Sequence, residues 1–455
     1  MEKCIGNIET TLSPELIAEL KAKDARKKEE MWKVFEENLP VNAKEIVAEF
    51  RKLYALYDDG LIKWMANLFD PDICVCNELY GKSVCEHHAL CGTAGFHYTH
   101  SARDNVGYLP VVEAMNSIFD FVSSSGLATD ETVVEYFTEE LGEKMMNFVK
   151  NLQDPDGYFY HPQWGKDNIT DGRRGRDLER AIKLLNRYDK KPIYPTITDL
   201  VSEKASETTL IPDYLKTPEA FKKYLDSLNI DTRSYHAGNT IGAQFIQIKA
   251  RGEEYVKILG EFLDSHQRED NGIWHEKTDY YGSNGVMKIL GNYSAMKRAI
   301  PNPEKALRAS VNAIVSSENP DSIVTVWNPW VSLRHLFDNI ALFDSKERSD
   351  ALRREFLMMA PEAIRITKEK TAKFKKPDGS FSYLQEYSTW TMQGAPCAVP
   401  RTVEGDMDAA VLGTNSMINT ITMALGMTDF RIPLYGGYES ALFIDIIKNR
   451  KPVRK

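Results

Sequence analysis

The chain has 455 residues, 42% hydrophobic and 27% charged, the proportions of a globular protein and not of a disordered or fibrous one. Its 57 basic against 66 acidic residues make it acidic, so a polyanion would have to be met by a local basic patch, and nucleic acid is not an expected partner. No stretch approaches the roughly 20 apolar residues that cross a bilayer, and residues 1–6 lack a basic start ahead of an apolar core, so a cytoplasmic protein with no membrane partner is expected.

Cysteine is the first informative residue type in chain order. Cys74, Cys76, Cys85 and Cys91 fall within 18 residues, with His87 and His88 between the last two. In a cytoplasmic chain, thiols at this density suggest a structural zinc more than disulfides. The pattern C-x-C is followed by gaps of eight and five residues and is not the usual pair of C-x2-C knuckles, so free, packed cysteines are the competing account. Residues 72–94 read as an inserted loop, and Gly81 allows the reversal that a common centre would need.

Glycine followed by aromatics recurs four times: at Gly95-Phe96-His97-Tyr98, Gly157-Tyr158-Phe159-Tyr160-His161, Gly272-Ile273-Trp274-His275 and Gly379-Ser380-Phe381-Ser382-Tyr383. The spacings are 62, 115 and 107 residues, the last two close to twice a shared unit, with weaker echoes at Asn319-Pro320-Asp321 and Gly436-Gly437-Tyr438. A long fixed period signals repeated supersecondary units. Between the motifs the apolar spacing is helical. One stripe is Val112, Met115, Phe119 and Val122; others run from Val133 to Leu152, from Leu178 to Leu185 and from Tyr255 to Phe262. Turns at Asp154-Pro155-Asp156-Gly157, Pro301-Asn302-Pro303 and Pro377-Asp378-Gly379 separate these helices. The best strand candidate is 322–327, and it is short. The chain therefore reads as all-α over a single domain, 1–455.

Helical hairpins at this period, joined by Gly-aromatic turns, resemble the α/α-toroid enzymes. These include polysaccharide lyases, several glycoside hydrolase families and terpenoid cyclases. The resemblance spans about residues 45–445. It implies an (α/α)6 or (α/α)7 toroid of hairpins around a cleft, without an organic cofactor, acting on an oligosaccharide.

Aromatic rings beside polar groups suit a sugar, whose C–H face stacks while its hydroxyls hydrogen-bond. Phe96, His97, His100 and Arg103 make one such set, Tyr158, His161 and Trp164 a second, and Trp274 with Glu276 a third. Packing plugs between helices are the plain alternative for every ring. Arg173 and Arg174 could pair with acidic sugars or be solvated helix residues.

The densest polar segment, 231–240, holds Arg233, His236 and Asn239. In a β-elimination these could neutralise a uronate carboxylate and remove its α-proton, with Tyr280, Tyr281 or Tyr293 protonating the leaving oxygen. A helix start with a satisfied histidine is the plain alternative. Hydrolysis would instead need two carboxylates, with Glu276 and Asp279 or Glu404, Asp406 and Asp408 as candidates. Acidic residues in a first helical turn are also ordinary, and Asp406-Met407-Asp408 is too short for a cyclase acid motif. The expectation is a lyase on a uronate oligosaccharide, with a glycoside hydrolase and a non-catalytic sugar-binding protein as alternatives.

Overall fold

A computed structural model describes residues 6–82, 85–86, 88–129, 132–169, 171–196, 213–392 and 394–451. Helices dominate the described residues, as the apolar periodicity requires. The long helix α1 (Pro14–Asn38) is capped by the Ser13 side chain and carries proline in its first turn, a favoured start. α2 (Ala43–Tyr54) and α3 (Asp59–Ala66) follow. The cysteine-rich loop then hangs between β1 (Phe69–Asp70) and β2 (Gly95–Phe96), an antiparallel pair in which Phe69 faces Phe96 and Asp70 faces Gly95. One turn of helix, α4 (Val75–Glu78), lies inside it. Ile73, Val75 and Leu90 from this loop are buried in the main core, so the insertion is packed onto the body and does not rely wholly on a metal for order.

The rest of the chain alternates helices with the turns read from sequence. After α5 (His100–Asp104) come α6 (Val112–Ser125), α7 (Glu139–Asn151), α8 (Asp171–Arg187), α9 (Pro218–Ser227), α10 (Ile230–Ala250), α11 (Glu253–His266), α12 (Tyr280–Ala295) and α13 (Pro303–Val315). These are followed by α14 (Ile323–Phe343), α15 (Lys346–Thr371), the strand pair β3 (Thr391–Met392) and β4 (Ala395–Pro396), α16 (Met407–Val411), a π-helical turn (Leu412–Ser416), α17 (Met417–Ala424) and α18 (Gly437–Asn449). The stretch 322–327, expected as a strand, is the start of α14. Ser322 caps that helix by accepting from the Thr325 N–H, and the cap together with burial of Ile323, Val326 and Trp330 overrides the β-preference of the Ile-Val-Thr-Val run. Helix α7 begins after its Thr138 cap, so Val133 and Phe137 of that stripe belong to the preceding turns.

Six segments pack side by side in the order α8, α6, α16–α17, α14, α12, α10. Glycines set the closest approach: a side chain on Gly285 of α12 would collide with Ser234 of α10, and one on Gly413 would collide with Ile323. The core is continuous through all of them.

Three of the four Gly-aromatic turns are the same structure. In each, the residue before the glycine uses its side-chain oxygen to accept the N–H two residues on: Asp156 from Tyr158, Asn271 from Ile273, Asp378 from Ser380. Each glycine has positive φ, 87°, 72° and 87° for Gly157, Gly272 and Gly379, a conformation in which a side chain is strained. Each also abuts the next structural unit: Gly157 meets Pro195, Gly272 meets Lys305, Gly379 meets Gly60. The residue opening each turn reaches across in the same way: Gln153 bonds Tyr194, Gln267 bonds Asn302, and Lys375 bonds the Leu56 carbonyl. The repeat seen in sequence is a repeated joint between units.

Candidate active site

The rings of these turns fill the joints. Phe96, Trp274 and Phe381 are wholly buried and Phe159 nearly so, and the Trp274 indole N–H donates to the Leu263 carbonyl. They are packing plugs, and no sugar face can reach them. The accompanying polar groups are consumed similarly. The imidazole of His161 stacks on Trp164 with ring centres 4.1 Å apart, and its Nε2 lies 2.9 Å from the Pro110 carbonyl. Burial drives its pKa down to about 4. Burial likewise pushes His100 down to about 3, with Nε2 on the Trp64 carbonyl. Arg103 is buried between Asp104, Asn7 and the Asn67 carbonyl. Tyr158 is half-buried under the Arg174 guanidinium, 4.8 Å from the ring centre, and Glu276 is exposed.

The segment expected to carry an elimination is not drawn together. Arg233, His236 and Asn239 stand exposed on α10, while Ser234, Ala237 and Gly238 face inward. Tyr280 is buried and accepts from the Lys370 ammonium at 2.6 Å. Tyr293 donates to Asp264, which also holds Arg298. Both hydroxyls are thereby tied to α15 and α11, elements outside the row that contains α10. Tyr281 is exposed and leans on His275.

Charge is instead buried where α6, α8 and α16 begin. Glu113 in the first turn of α6 accepts from Arg173 Nη1 at 2.6 Å and from Arg176 Nε at 2.5 Å, and Arg173 also grips Asp177 through two bonds. Burial would raise the Glu113 carboxyl, but Arg176 and Arg173 together hold it below its usual range. Burial outweighs the arginine for Asp177, which is raised. Arg173, read as a sugar contact or a solvated residue, is neither: it is a buried structural cation.

Asp406 and Asp408, at the start of α16, differ sharply. Asp406 caps α16, accepting from the N–H groups of Ala409, Tyr383 and Thr389. Burial pushes it up to about 8, but three backbone donors fit only an acceptor, so its part is to fold 383–409. Asp408 keeps accessible surface between the buried Met407 and Ala409. Burial, with the nearby Glu113 charge, raises its carboxyl to about 6. The buried Tyr98 hydroxyl lies beside it with no other hydrogen-bond partner among the described residues. Tyr383, itself raised to about 12 chiefly by burial, is within electrostatic reach of Asp408, Tyr235, Asp406 and Asp321. The π-helical turn directly after α16 is a distortion frequent beside functional sites. Glu404 hangs nearby, one oxygen accepting the Ser101 N–H at 2.9 Å and the other buried without a partner among the described residues.

Sequence reasoning placed Asp408 among possible hydrolytic acids but missed Tyr98, Glu113, Arg176, Tyr235 and Tyr383 as its surroundings. Of these only Glu113 lies in a first helical turn, that of α6; the others come from separate segments that no local pattern links. In the cysteine-rich loop, the sulfurs of Cys74, Cys85 and Cys91 lie within 4.8 Å of one another. Cys76 stands apart from that group, its sulfur accepting the Glu86 N–H at 3.4 Å. His87 lies outside the described residues. No protein-family model, no curated protein and no solved structure matches this chain.

Proposed function

We propose that the side-by-side segments close into an (α/α)6 toroid, and that the chain cleaves a glycosidic bond at the end where these helices begin. Closure is supported by the reach of Arg176 on α8, whose charge is felt by Tyr235 on α10 and Lys288 on α12, the far end of the row. The observation that carries the chemistry is Asp408, a desolvated carboxyl raised toward neutrality that still meets solvent. Such a group can protonate a departing glycosidic oxygen. Asp321, exposed at the foot of α14 and, like Asp408, close enough for its charge to be felt by Tyr383, is the partner carboxylate that would activate water. Hydrolysis is favoured over elimination because His236 and the tyrosines assigned to it do not converge. One observation supports the second reading, an acidic sugar cleaved by elimination. Tyr235, with the Lys288 ammonium 5.5 Å from its ring centre, sits within range of Arg176, and these cations suit a uronate carboxylate.

The experiment is incubation with neutral and uronate-containing oligosaccharides, reading both reducing ends and the absorbance of a new C4–C5 double bond. Reducing ends without the double bond, lost in Asp408→Asn, are expected. A new double bond selects elimination, and sugar binding without turnover selects a non-catalytic protein. In the cysteine-rich loop we propose a structural zinc on Cys74, Cys85 and Cys91. Zinc on the reduced chain that is lost from a Cys85→Ser and Cys91→Ser double variant would support it, and a metal-free reduced chain would rule it out.

A further inference from the structure

Beside the thiols, and distinct from them, lies a second cluster. Asp70 ends β1, Glu78 ends α4, and His97 follows β2. All three side chains are nearly inaccessible, at 1%, 4% and 0% exposure, and one donor atom from each falls within 4.8 Å of the others. We propose that Asp70, Glu78 and His97 form a binding site for a divalent first-row cation.

The geometry carries this. His97 Nε2 stands 3.8 Å from Asp70 Oδ2, too far for a hydrogen bond. Two ligands each about 2.1 Å from one ion lie roughly 3–4 Å apart, so the separation fits shared coordination. The carboxylates are oriented by the loop itself: Asp70 Oδ1 accepts the Asp72 N–H at 3.1 Å, and Glu78 Oε1 accepts the Cys74 N–H at 3.1 Å. Backbone bonds that fix ligating carboxylates are the usual outer support of metal sites. Charge agrees as well. Two buried carboxylates and a neutral imidazole balance a dication, whereas burying two anions together is costly. The Arg450 guanidinium, near enough to feel Asp70, is itself bound to the carbonyls of Phe69 and Gly6.

Such an ion would join β1, α4 and β2 from inside, and His97 immediately precedes Tyr98, the residue beside Asp408. Its part is to position that strand, not to touch substrate. The donor set, one imidazole and two carboxylates, suits manganese, iron or zinc and differs from the soft thiolates of Cys74, Cys85 and Cys91.

Manganese(II) is the selective probe, because it takes oxygen and nitrogen donors and leaves thiols alone. The intact reduced chain, stripped with chelator, is titrated with manganese(II) and followed by electron paramagnetic resonance. About one tightly held ion is expected, with nitrogen modulation from a single imidazole, and at least tenfold weaker binding in both Asp70→Asn and Glu78→Gln. No bound manganese, or bound manganese without nitrogen coupling, overturns the site. Affinity in both variants equal to that of the unaltered chain also overturns it. If either variant fails to fold, the nitrogen signal of the unaltered chain decides.

Discussion

Two polar regions of this protein invite opposite conclusions from sequence and from structure. Helix α10 carries the densest run of polar chemistry in the chain, yet Arg233, His236 and Asn239 lie on its exposed side. The starts of α6, α8 and α16 look like ordinary charged first turns, yet they bury Glu113, Arg173 and Asp177 in one network with Asp408 at its edge. Polar density marks a surface as readily as a site. Desolvation separates the two, because water levels the pKa values of exposed groups while burial moves them apart.

The contrast can be broken most directly by activity. Asp408→Asn is expected to lower kcat/KM on the cleaved oligosaccharide by about 10²–10⁴, the usual worth of a general acid, with His236→Ala changing it only a few-fold. A reversed order, measured on folded variants, returns the chemistry to α10. Stability should divide the regions in the same way. Glu113→Ala removes a buried carboxylate shared by Arg173, which keeps Asp177, and the partly exposed Arg176, and urea unfolding should report a loss of about 2–3 kcal/mol, below the full cost of breaking an isolated buried pair. Arg233→Ala should stay within about 0.5 kcal/mol.

The pH dependence sharpens the comparison. An acid raised to about 6 works when protonated, so the rate should fall as pH rises through that value, and the limb should vanish in Asp408→Asn. Stability carries the matching sign. The folded carboxyl holds its proton more tightly than the unfolded one, so folding is favoured at low pH and loses stability as pH climbs from about 4 to 6. Asp408→Asn removes that cost and should gain roughly 1–2 kcal/mol at pH 7, a gain that disappears near pH 4. The smallest effect belongs to Asn239→Ala, where thermal unfolding should stay within about 0.5 kcal/mol of the parent.

The turns show what was legible. Period, glycine and the Asp ahead of it at Asp156-Gly157 and Asp378-Gly379 foretold a recurring tight turn, because positive φ and a side-chain-to-backbone bond are local properties; Asn271 makes the same bond ahead of Gly272 without having been singled out. Helical periodicity was legible for the same reason. The rings were not: whether Trp274 stacks on a ligand or fills a joint depends on what faces it, here the Leu263 carbonyl and Tyr293.

By itself, then, the sequence determined the helical character of the chain, the spacing of its units and the left-handed glycines that join them, since each follows from residues a few positions apart. Only the tertiary structure decided that Ile323 opens a helix, that Tyr280 and Tyr293 are tied to α15 and α11, and that Asp408 is desolvated beside Tyr98, 310 positions earlier. Burial and electrostatic coupling arise between segments distant along the chain, and no local pattern encodes them.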